Sequence, residues 1–60
     1  MIPGCLIEII SNTAVLHDRP PVGSRGVYMH TEFDIGQEVC VVLISGTKFR
    51  VSARDIKVIQ

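Results

Sequence analysis

The sequence predicts a small all-β domain of roughly five to six short strands, and three observations point there. No window repeats apolar residues at i, i+3, i+4 and i+7, the recurrence a long amphipathic helix needs. β-Branched residues, which fit a pleated and half-buried surface, are abundant. Turn-forming residues return about every eight to twelve positions, the spacing of a compact sandwich or barrel.

Each element has a local reason. Pro3-Gly4 blocks helical entry, and residues 5 to 10, CLIEII, read as a first strand with Cys5, Ile7 and Ile9 on one face and Leu6, Glu8 and Ile10 on the other. Ser11-Asn12 suits a tight turn, because both side chains bond nearby backbone. Residues 13 to 17, TAVLH, read as the second strand. In DRPPVGSRG, residues 18 to 26, Pro20 and Pro21 lack backbone donors, so this is a protruding loop in which Gly23 and Gly26 supply flexibility or positive φ. GVYMH, residues 26 to 30, reads as a strand, and HTEFDIGQ as a second connection turning at Gly36. EVCVVLIS, residues 38 to 45, is the clearest strand; Ser45-Gly46 closes a hairpin into TKFRVS, where Phe49 and Val51 alternate with Lys48 and Arg50. SARD, residues 52 to 55, is long enough only for a 3₁₀ turn. IKVI ends the sheet, with Ile56 and Val58 inward and Lys57 outward.

Composition narrows the function. Sixty residues allow one domain, spanning 1 to 60, with a thin core and little room for a deep substrate pocket, so a self-sufficient enzyme is not expected. Six Lys+Arg against six Asp+Glu give zero net charge, hence no general attraction to nucleic acid or an anionic membrane. The longest apolar run, residues 39 to 44, is far short of a membrane span, and the apolar start carries Glu8 and lacks a basic region, so a secretory leader is not expected. Two cysteines, Cys5 and Cys40, are expected to be buried thiols in a reducing cytoplasm.

Short strands, a long Pro/Gly loop, a central hairpin, a 3₁₀ turn and a last short strand resemble an SH3-like small β-barrel, with GQEVCVVLISGTKFRVSARDIKVI as its second half. AVLHDRPPVGSRGVYMH is similar to a KOW module, and Gly26 matches that family's characteristic glycine. The resemblance covers roughly residues 13 to 59. It implies a domain that binds RNA, the ribosome or RNA polymerase, although many such modules are basic and this chain is neutral. IPGCLIEIISNTAVLHD is also similar to the first hairpin of the hydrogenase-maturation chaperones, whose working Cys follows Met1; here that position is Ile2.

Chemistry has few places to reside. Cys5, His17, His30 and Cys40 are the right types for zinc, but no C-x₂₋₄-C or H-x₃₋₅-H spacing occurs. Cys40 beside His17 or His30 and Asp18 would make a nucleophile only if it escaped its apolar run, where burial raises a thiol's pKa. GSRG, residues 23 to 26, could offer amides to a phosphate, but no helix start follows. No cofactor or metal is expected.

Binding is the better expectation. Strand 38 to 45 is apolar on both faces, with Val39, Val41 and Leu43 backing Cys40, Val42 and Ile44. Either it is buried on both sides of one barrel, or its outer face meets a partner or a second copy. Arg19, Pro20, Pro21 and Arg25 with neighbouring Tyr28 form the other expected docking surface for a protein. An accessory or inhibitor protein of a phage or bacterium suits this size. The alternative places Arg19, Arg25, Lys48, Arg50 and Lys57 on phosphates, with a basic side opposed to an acidic one built from Glu32, Asp34 and Glu38.

Overall fold

Two tight turns organise the sheet. Ile35-Gly36 (φ 52° and 75°) and Ser45-Gly46 (φ 52° and 79°) both have positive φ at two successive residues, the pattern of a type I′ turn. That turn matches the twist of the strands it joins, so each makes a two-residue hairpin. The first joins β2 (Arg25–Asp34) to β3 (Gln37–Ile44), and the second joins β3 to β4 (Thr47–Ser52).

The computed structural model describes residues 2–12 and 20–59. It is all-β: besides these three strands it has β1 (Leu6–Ile9), a single 3₁₀ turn (Ala53–Asp55) and β5 (Ile56–Val58). The five strands form one antiparallel sheet of order β4-β3-β2-β1-β5. No ladder joins β4 to β5 among the described residues, so the closed cylinder expected from the sequence is not formed by strand pairing there. The expected strand at residues 13 to 17 lies outside the described residues. Among the described residues no helix is long and apolar enough to cross a membrane.

The core lies on one face. Ile7 and Ile9 of β1, Tyr28 of β2, Cys40, Val42 and Ile44 of β3, Val51 of β4 and Ile56 of β5 pack together. Ile7, Ile9 and Val42 are fully buried, each contributing about 1.5–3 kcal/mol, so β1 and β3 anchor the sheet. The alternation expected in β4 holds: Val51 is buried and Phe49 half-buried, while Lys48 and Arg50 are exposed. Val58 was expected inward but is 50% exposed. It pairs with Ile7 on a strand that, among the described residues, has a neighbour on one side only, and the core reaches no further along β5 than Ile56.

A second difference decides where function can sit. Residues 31–34, expected in a connection, continue β2 and pair with β3 down to Asp34↔Gln37. The register shifts between Tyr28 and His30, so Met29 is an extra residue that resets the alternation. Tyr28 and Thr31 therefore both face the core, and the Tyr28 hydroxyl bonds the Thr31 hydroxyl. His30, Glu32 and Asp34 are turned to the outer face, opposite Val41, Val39 and Gln37.

Gly26 is required for a different reason from the positive φ expected. A Cβ there would lie 2.3 Å from the Leu43 carbonyl oxygen and 2.5 Å from Ile44 Cγ1. The start of β2 thus runs against the end of β3 closely enough to exclude any side chain.

Candidate functional site

The outer face of β3 is covered by the chain itself. Val41, on that face, is only 5% exposed, and Val39 and Leu43 are half-buried. Arg50 on β4 explains much of this. Its Nε lies 3.4 Å from Glu32 Oε1 and a terminal nitrogen lies 3.6 Å from Asp34 Oδ2. Both carboxylates are on β2, and β3 runs between β2 and β4. The Arg50 side chain must therefore cross over β3, laying its methylene stem on the valines while its charge stays in solvent. His30 Nε2 lies 3.1 Å from Glu32 Oε2 and extends the same cluster. The two-sided apolar character of this strand is thus satisfied within one chain, and its outer face is not a free docking surface.

The expected binding residues are not brought together. Arg19 lies outside the described residues. Pro20 is fully buried, which corrects its assignment to an exposed surface; Pro21 is exposed. Tyr28 is 6% exposed and its ring belongs to the core, so it is not available to stack or dock. Arg25 is exposed, with Nε 3.2 Å from Glu8 Oε1. Arg50 is engaged as described. Lys48 is exposed opposite Leu43, and Lys57 faces Glu8 across β1–β5. Cations and carboxylates alternate across the outer face, where a basic side separated from an acidic one had been expected.

The chemical candidates also disperse. Cys40 faces the core opposite Thr31, whereas His30 is on the outer face opposite Val41, so the two cannot converge on a metal or form a nucleophile–base pair. His17 and Asp18 lie outside the described residues. Both cysteines are free thiols; Cys40 is buried, and Cys5, expected buried, is only half so. Burial raises the Cys40 pKa, opposed by a hydrogen bond with Thr31 and aided by the negative charge of Glu38. In GSRG, the Gly23 amide donates to Ile9 O and the Ser24 amide to Pro21 O, so neither is free to cradle a phosphate.

One feature was missed. The β2–β3 hairpin continues past β4, whose last partner on β3 is Val39, opposite Ser52. Beyond that point Phe33 is 74% exposed and Ile35 is 95% exposed. Ile35 has a φ of 52°, a left-handed conformation that a β-branched residue strongly disfavours. Asp34 lies between the two in sequence, and Glu38 stands directly opposite Phe33. The available signal was the FDI triplet before Gly36, in which Phe33 and Ile35 flank an acid within one arm of a hairpin. Ile is not a customary turn residue, so local sequence alone predicts a connection over this segment and not the end of a long hairpin.

Comparison with family models, with curated proteins and with solved structures finds no match to this chain.

Proposed function

We propose that this chain is a non-enzymatic binding module that docks on a protein partner through the free end of its β2–β3 hairpin. One observation carries the reading. Ile35 occupies a backbone conformation costing an ordinary L-residue about 1–2 kcal/mol, yet its side chain is almost wholly in water. Neither turn chemistry nor core packing rewards isoleucine there, and a docking role does. Large apolar and aromatic side chains are the usual anchors of protein interfaces.

The SH3-like reading of the fold remains part of the proposal. Two tight hairpins and a 3₁₀ turn before the last strand support it. The KOW-like alternative, a nucleic-acid or transcription/translation accessory, draws less support because Arg25 and Arg50 are engaged by carboxylates. Titration with generic DNA and RNA at low and moderate salt separates the two. The docking reading expects no binding at low salt; affinity that falls steeply with salt would replace it with the alternative.

A further inference from the structure

The tip's charge specifies what its partner must look like. Six residues, 33 to 38, extend past the last β3–β4 pair, so among the described residues their strand pairing is only with each other across the hairpin. Three carboxylates, Glu32, Asp34 and Glu38, lie in the stretch from 32 to 38, which holds no Lys or Arg. Arg50 takes Glu32 and Asp34 on the outer face. Glu38 shares the face of Phe33, and no cation pairs with it among the described residues. The apolar pair is therefore bordered by negative charge on the side where Phe33 projects.

From this arrangement we propose that Phe33 and Ile35 insert into an apolar pocket with a rim of Lys or Arg on the partner protein. The inference rests on the docking reading above and adds the chemistry of the other surface. Phosphate backbones and anionic lipid headgroups meet like charge at this tip and are disfavoured. A cationic rim would pair Glu38 while the two apolar side chains leave water, the usual layout of a buried anchor with a polar border. Of the seven large apolar residues exposed among the described residues, Ile35 and Phe33 are among the three most exposed, and they lie two positions apart. Scattered exposed apolar residues need no explanation; two so close together at one hairpin tip, with Ile35 in a left-handed conformation, do.

The experiment places the photo-crosslinker p-benzoyl-L-phenylalanine at position 33 of the full chain, irradiates it in lysate of the source cell, and maps the attached residue by peptide mass spectrometry. Position 33 is exposed, and a thermal melt checks that each variant folds. The expected adduct is a protein linked at an apolar site bordered by Lys or Arg. Its yield should fall more than about tenfold on Glu38→Lys combined with Asp34→Lys. It should also fall several-fold between about 50 and about 500 mM salt. A protein adduct at an acidic or uncharged site, or a yield indifferent to both charge reversals, overturns the basic rim while leaving docking intact. A crosslinked second copy of this chain, an adduct to lipid or nucleic acid, or no adduct at all overturns both.

Discussion

Ser11 Oγ donates a 2.6 Å hydrogen bond to Asp55 Oδ1 across 44 residues of sequence. The same aspartate accepts the Ile10 amide on its backbone oxygen at 2.8 Å. The end of β1 is thereby tied to the 3₁₀ turn that leads into β5. Asp55 is 3% exposed, and a buried carboxylate that loses a donor costs about 1–3 kcal/mol. Ser11→Ala should destabilise the chain by about that amount. Asp55→Ala should cost at least as much, and the double variant less than the sum of the two. Urea denaturation of all three gives the answer; strictly additive losses would show that the bond does not couple the two sites.

That bond was not legible in the sequence, and the reason is general. SARD forms the 3₁₀ turn expected of it, whereas Ser11, expected to bond nearby backbone in a tight turn, instead reaches Asp55, and nothing in either segment announces a partner 44 positions away. What was legible had a short range. The Ser45-Gly46 hairpin, the alternation in TKFRVS and the 3₁₀ turn each depend on residues within a few positions of one another. The length of β2 was not legible, because Met29 breaks the period of two and Ile35-Gly36 lacks a customary turn residue before its glycine. Those two irregularities hid both the long hairpin and the site at its end. Tyr28 was misplaced for a related reason: the only tyrosine looked like a surface stacking residue until its hydroxyl found Thr31 inside.

Gly26 supplies a second prediction. Its missing side chain makes room for the Leu43 carbonyl and Ile44. Gly26→Ala places a methyl group where backbone already stands, so β2 and β3 must separate. Overpacking of this kind typically costs about 1–3 kcal/mol, and backbone cannot yield as a side-chain tip can. Thermal melting should show the loss directly. Gly46→Ala is strained for another reason, positive φ with open space around it, and should not disturb core packing. Near-UV absorption and aromatic dichroism of Tyr28 therefore ought to change in the first variant and not in the second. Identical spectra would argue against the close approach.

The two thiols should differ in reactivity. Cys5 is half-buried at the margin of the core, whereas Cys40 is 1% exposed beside Thr31. A thiol reagent should modify Cys5 first, with Cys40 reacting only as fast as the sheet opens. Burial raises the Cys40 pKa above its ordinary 9.0. The unfolded chain therefore loses this proton at lower pH than the folded one, and stability falls as pH rises past about the ordinary value toward the folded one. Cys40→Ala should weaken the fold at neutral pH by leaving a small cavity and should flatten that alkaline decline. Equal modification rates at Cys5 and Cys40 in the native protein would contradict the placement of Cys40.

The hairpin turns offer an internal comparison. Ile35 and Ser45 share the same φ of 52° and both precede a glycine, so their backbones pose the same demand. Asn meets that demand best among residues with side chains, and a β-branched residue meets it worst. Ile35→Asn should raise stability by about 0.5–1.5 kcal/mol, and Ser45→Asn by less. Nothing is lost from the core in either case, since Ile35 is 95% exposed and Ser45 is exposed as well. The same Ile35→Asn change should abolish capture of the partner through position 33, because it removes one of the two anchors. A more stable chain that no longer docks is the signature of a residue kept for binding at the expense of the fold. If Ile35→Asn instead lowers the melting temperature, the isoleucine is being held by contacts within its own chain, and the docking argument loses its main support.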